Sequence, residues 1–288
     1  MKGNVNEILG HKNNISGSIN KIFGDLNDVT GNENKIKGDK NWVEGNVNIV
    51  KGNENKVEGN ENLLDGSKNN VKGNLNAVGG HHNVVVGSES SVLGDKNSLH
   101  GNKNQVAGHE NTLKGSENIV EGNSNRLRGD KNTVSGSENK VNGDKNLLAG
   151  NGNQLSGSNN GILGHFNQVF GETNVLKGSE NKVKGDLNSL VGNLNQVIGS
   201  KNSLEGNENK VKGNENQVLG SHNAMNGDWN RVMGERNSLI GSKNNVNGVE
   251  NSILGNLNNV AGHKNIIEGH KNDIWGSANQ VKGEENKV

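Results

Sequence analysis

Histidine, serine and aspartate are the residues here whose types could do chemistry, and their spacing argues against each reaction they could support. Nine histidines are present. His11, His81, His109, His165, His263 and His270 each follow a glycine, at a position that Asn, Ser and Asp also fill, so a turn role is the economical reading. His263 and His270 are close in sequence, but the repeat described below puts them on opposite edges of one coil, too far apart to share a zinc ion. Asp39, Asp95, Asp130, Asp144 and Asp186 occupy the same post-glycine position, scattered among other residue types, unlike the fixed Asp of calcium-binding repeats. The glycines do not make a phosphate loop, because such a loop follows a strand and opens a helix. A Ser-His-Asp constellation on exposed turns has no cleft to exclude water. The sequence therefore predicts no catalytic residue, no metal site, no cofactor and no enzyme.

The elements that position these residues come from a seven-residue unit, G-x-x-N-x-Φ-x, with Φ aliphatic. Glycine recurs at every seventh residue from Gly3 to Gly283, forty-one times without insertion or deletion. The fourth position is Asn except at Ser90, and the sixth is Val, Ile, Leu or Met throughout. A coiled coil is excluded, since it needs two apolar positions per heptad, and each glycine costs about 1 kcal/mol in a helix. The x-Φ-x segment instead predicts a short strand, with Gly-x-x-Asn as the turn.

Two units make one fourteen-residue coil. The expected fold is all-β, a β-solenoid or β-roll of about 20 coils at ~4.8 Å each, roughly 100 Å long. Residues 1-288 are expected to form a single uninterrupted repeat domain. Inside it, Val43, Val57, Val71 and Val85 represent an inward aliphatic ladder. Asn13, Asn27, Asn41 and Asn55 represent an asparagine ladder in which each amide bonds turn backbone or the next Asn. Ser90 is the gap in that network, where a water or a local loosening is expected.

The segments Asn132-Thr133-Val134-Ser135-Gly136 and Asn104-Gln105-Val106-Ala107-Gly108 carry a resemblance. They match the x-x-N-x-V-x-G repeat of the grass ice-recrystallisation-inhibition proteins, and the match extends over essentially the whole chain. The resemblance implies a left-handed β-roll, and an ice-binding face made by the fifth and seventh positions. Thr133 and Ser135 fit such an array. Their neighbours fourteen residues away, Ile119 with Glu121 and Leu147 with Ala149, do not, and the chain holds four threonines. A looser likeness exists to the head β-roll of trimeric bacterial adhesins.

Splitting the units by parity gives two outward sides. One carries Phe23, Ile49, Leu63, Leu93, Leu163, Leu219, Met233 and Trp275, interrupted by Lys35, Lys37, Glu205 and Arg231, and is a possible docking face. The other is rich in lysine and arginine. Third-position residues such as Lys40, Glu54 and Lys68 alternate in charge along an edge.

Thirty-one basic and thirty-one acidic residues cancel, so no global field draws the chain to nucleic acid or to an anionic membrane. No apolar segment is long enough for a signal peptide or a membrane span, so no membrane insertion is expected and a cytoplasmic place is the default. A processed or excerpted extracellular protein would read the same. The sequence-based expectation for function is a rigid rod or filament scaffold that self-associates head to tail and laterally. Ice binding is the alternative, with ice as the partner, and a surface adhesin or stalk is the third reading.

Overall fold

The computed structural model describes residues 2–263, 266–270, 273–275 and 280–282. Contacts divide the chain into two units, Met1–Lys145 and Asn146–Val288, and each is taken by itself. In the first, strands of three residues start at Glu7–Leu9 (β1) and Asn14–Ser16 (β2) and recur every seven residues to Thr133–Ser135 (β19) and Lys140–Asn142 (β20). In the second they run from Leu147–Ala149 (β21) and Gln154–Ser156 (β22) to Gln280–Lys282 (β40), lengthening to five residues in the four strands from Asn245–Val249 to Ile266–His270. Odd strands pair with odd and even with even, all parallel. Each residue lies beside the one fourteen positions on, as in Glu7↔Lys21, Val85↔Leu99 and Leu190↔Leu204. Each unit is thus an all-β solenoid with two sheets.

One residue per strand fills the core. Ile22, Val43, Val57, Val71, Val85 and Leu204 are almost fully buried, as are their equivalents from Ile15 to Val260, while Ile8 in the first strand is half-buried. Burying one such side chain contributes roughly 1.5–3 kcal/mol, so the narrow core gains its stability by repetition.

The asparagine ladder carries the polar half of the interior. Asn27, Asn41 and Asn55 are buried and Asn13 is half-buried. The backbone N–H and the Nδ2 of Asn27 both donate to Oδ1 of Asn13, at 2.9 and 3.1 Å, and its Nδ2 also donates to the Gly38 carbonyl at 2.9 Å. Asn41 and Asn55 repeat the contact to the asparagine before them, at 3.0 and 3.2 Å. A buried amide satisfied on both its atoms carries little desolvation penalty, which is why Asn can recur inside the fold.

Ser90 keeps the register while thinning the network. Ala77↔Ser91 and Ser91↔Gln105 pair without interruption, so the backbone is not loosened there. The Ser90 N–H still donates to Asn76 Oδ1, but Asn104 N–H reaches the Ser90 hydroxyl only at 3.4 Å. No side-chain amide from position 90 is available to the Gly101 carbonyl, the acceptor that an asparagine there would reach. Ser90→Asn is therefore expected to stabilise the first unit by about 1–2 kcal/mol, the worth of one restored buried bond. A higher urea midpoint with an unchanged slope is the expected reading, and an unchanged midpoint would show that Ser90 leaves no energetic gap.

The turns hold two features that a turn assignment alone does not specify. At the second position the side chain accepts a hydrogen bond from the N–H of its counterpart one coil earlier: Asp25 N–H to Asp39 Oδ1, Asp39 N–H to Asn53 Oδ1, Asn53 N–H to Ser67 Oγ, and Ser67 N–H to His81 Nδ1. Asn, Ser, Asp and His interchange there because each offers a short-range acceptor. At the third position the backbone is left-handed, with φ near 60° at Lys40, Leu75, Phe166 and Trp229. These residues have no preference for that region, and each costs ~1–2 kcal/mol there. The ladder above and below overrides the cost, since the third-position N–H donates to a second-position carbonyl, as from Lys40 to Asp25 at 2.9 Å.

Candidate functional site

With the sixth position turned inward, the fifth and seventh residues of each described repeat face outward and build two columns on each sheet. The odd sheet holds the proposed docking and ice-like residues. Leu93 and Leu163 are more than half exposed, and Ile49, Leu63 and Leu219 somewhat less. Phe23 and Met233 are half-buried. Trp275 lies on an odd strand, but its side chain is outside the described residues.

These residues do not merge into one patch. Phe23 lies beside Lys37, and Lys35 beside Ile49. Phe23 also packs under Lys21, whose Nζ sits 5.1 Å from the ring centre and pairs with Glu7 at 2.7 Å. Near Leu63, Lys51 and Asp65 approach to 3.7 Å.

A charge-poor stretch occupies the C-terminal half of the first unit's odd sheet and the N-terminal part of the second unit's. In the first unit it runs from Ala77–Gly79 (β11) to Thr133–Ser135, and Glu121 is its one outward charge. Thr133 and Ser135 close it, registered on Ile119 and Glu121. In the second unit it runs from Leu147–Ala149 to Ser189–Val191 (β27), and Lys177 is its one outward charge. Elsewhere in both stretches the outward residues are small, aliphatic or amide-bearing. Columns at ~4.8 Å along the stack and ~7 Å between fifth and seventh positions present a regular array.

The even sheet has the opposite character. Thr112, Lys114, Arg126 and Arg128 occupy adjacent strands of the first unit. Trp42 is covered by Lys56, whose Nζ is 4.7 Å from the ring centre.

Along the edges, third-position residues pair in places. Lys96 with Glu110 and Lys201 with Glu215 meet at 3.0 and 3.1 Å, and Arg236 with Glu250 at 3.4 Å. Among the described residues no ion pair joins Lys40, Glu54 and Lys68. Such exposed pairs contribute ~0–1 kcal/mol each and mainly favour correct stacking. Three or more His, Cys, Asp or Glu side chains do not converge anywhere among the described residues in a way that could hold a metal ion, and no described helix is long and apolar enough to cross a membrane.

The fold and its faces define a class: a two-sheeted β-roll repeat protein whose outward side chains stand in ordered columns. The model of one family, described as the grass antifreeze beta roll, matches residues 1–94, 89–164 and 162–251. The chain belongs to that family, and as a member of a non-catalytic antifreeze family it is not an enzyme. None of the curated protein sequences compared with it matches. Among solved structures it is similar to one described as a putative acetyltransferase from Desulfovibrio desulfuricans G20. That likeness has 10% identity and a TM-score of 0.19, covering 73% of this chain and 62% of that one.

Proposed function

We propose that the protein binds ice through the charge-poor stretches of its odd sheets, at Ala77–Ser135 in the first unit and Leu147–Val191 in the second. The observation that carries this reading is a two-column array, almost free of charge, on a backbone held by asparagine and acceptor ladders. A surface of this kind orders water above it without first ordering itself, so adsorption costs little conformational entropy. Family membership supports ice as the partner more directly than it supports a generic rod or filament. It also supports a left-handed roll with two seven-residue units per coil. Threonine contributes at Thr133, and the exposed Leu93, Ile119, Leu147, Leu163 and Val175 supply apolar surface.

Microscopy of annealed ice at micromolar protein tests the reading. The native chain is expected to keep ice grains small. The odd-face variant Leu93→Lys/Ala107→Lys/Thr133→Lys is expected to need roughly tenfold more protein for the same effect, since each lysine brings a strongly hydrated charge to the array. Thr112→Lys on the even sheet should leave the effect unchanged. Coarse grains with the native chain, or equal losses from the two faces, would sink the proposal.

A further inference from the structure

The formal charge of zero conceals a separation by face. On the even sheet of the second unit, every outward residue from Gln154 to Leu254 lacks a carboxylate, and Lys182, Lys184, Lys210 and Lys212 are exposed. The two lysine strands, Lys182–Lys184 (β26) and Lys210–Lys212 (β30), flank Gln196–Ile198 (β28), so the lysine pairs stand two strand spacings, ~9.6 Å, apart. Between Gln154 and Leu254 the carboxylates sit instead in the turns, apart from Glu205 on the odd sheet, and Glu208, Glu215 and Glu250 are each engaged by a cation or a histidine at 3.1–3.4 Å. The sequence-level expectation of no attraction to anionic surfaces rested on the whole-chain sum, and the sum does not describe this face.

The same face is also apolar in one column. Phe170, Ile198, Ile240 and Leu254 are about half exposed, and Lys184 and Lys212 are interleaved with them. Two open depressions lie between these groups. One, of about 310 Å³, is bordered by Lys210, Lys212, Ala224, Ser238 and Ile240, and the other, of about 140 Å³, by Phe170, Lys182, Lys184 and Ile198. The larger arises because Ala224 leaves space between Lys210 and Ser238, its neighbours in register.

We propose that this face docks peripherally on an anionic phospholipid bilayer, the lysines meeting headgroup phosphates and carboxylates while Phe170, Ile198, Ile240 and Leu254 enter the headgroup–acyl boundary. A nucleic acid or an acidic polysaccharide would satisfy the lysines but leave the aliphatic and aromatic column facing water, whereas a bilayer interface answers both. The contact is superficial and requires no spanning segment.

Co-sedimentation of the full chain with phosphatidylcholine vesicles, with and without phosphatidylserine at low ionic strength, tests it. Pelleting that depends on phosphatidylserine and fades with salt is expected. K182Q/K184Q/K210Q/K212Q should lower the partition coefficient roughly a hundredfold, at about fivefold per lysine less some overlap. F170S/I198S/I240S/L254S should lower vesicle binding about tenfold and leave retention on immobilised heparin unchanged. All eight side chains are exposed, and circular dichroism checks folding. The single variants K182Q and K212Q, each expected to lose about fivefold, carry the test if a quadruple variant fails to fold. Absence of phosphatidylserine-dependent pelleting would overturn the proposal, and so would pelleting indifferent to the lysine changes. Full vesicle binding by the apolar variant would reassign the face to a polyanion.

Discussion

Gly157→Ala is expected to destabilise the second unit by about 4 kcal/mol or more, while Gly161→Ala, four residues away, stays within about 1 kcal/mol of the native chain. Gly157 opens a repeat at φ +135, a region that L side chains rarely enter, and a β-carbon there would be driven into the backbone carbonyl of Gly171 in the next coil. The strained dihedral costs ~1–3 kcal/mol. The overlap adds ~1–3 kcal/mol because the obstacle is backbone held in the ladder. Gly161 sits at the fifth position of a strand, without positive φ, and an added methyl meets no atom within 4 Å. There alanine stiffens the unfolded chain and can even stabilise. Chemical denaturation of the two variants beside the native protein separates the cases. Equal midpoints for Gly157→Ala and Gly161→Ala would show that the first-position glycine is replaceable, contrary to the stacking geometry.

That contrast marks how far the sequence was legible. Gly157 and Gly161 are the same residue, and the period alone tells them apart, because it assigns one to the turn and the other to the strand. The period also fixes which residues are inside. One aliphatic and one asparagine per seven leave no other set able to fill a core, and pairing over fourteen residues follows from joining two such units.

The turns were less legible for a physical reason. Lys40, Phe166 and Trp229 carry no signal for a left-handed backbone, since their conformation is imposed by hydrogen bonds from the coils on either side. The interchange of Asp39, Asn53, Ser67 and His81 reads as turn preference until the acceptor ladder shows what they share.

The faces were legible as lists and not as surfaces. Parity alone separates Leu93 from Lys182, but the docking reading of the apolar side needed Phe23, Ile49 and Leu63 to join. In the first unit Lys35, Lys37 and Lys51 lie among them. The charge-poor stretch from Ala77 to Ser135 draws on residues as unlike as Gly79, Gln105 and Ile119. What they have in common is small size or lack of charge at one register, and no residue motif encodes that.

Removing one rung of the asparagine ladder is expected to cost nearly as much as blocking a turn. Asn69 is 1% exposed and serves three neighbours at once. Its Nδ2 donates to the Gly80 carbonyl at 2.8 Å and to Asn55 Oδ1 at 3.2 Å, and its Oδ1 accepts the backbone N–H and the Nδ2 of Asn83 at 2.9 and 3.1 Å. In Asn69→Ala the Gly80 carbonyl and the Asn83 N–H lose these partners inside the fold. Each orphaned buried group costs ~1–3 kcal/mol, so a loss of roughly 3–5 kcal/mol is expected. Asn69→Ser should lose less, about 1–3 kcal/mol, because a hydroxyl can still accept from the Asn83 N–H, as Ser90 does from Asn104. Asn69→Asp keeps the shape and an acceptor but sets a carboxylate oxygen against the Gly80 carbonyl and buries a charge, so it should be at least as damaging as alanine. The ranking native, serine, then alanine and aspartate, read from urea midpoints, separates hydrogen bonding from space filling. If Asn69→Asp stays within about 1 kcal/mol of the native chain, the shape and the acceptor suffice and the donor half of the ladder contributes little.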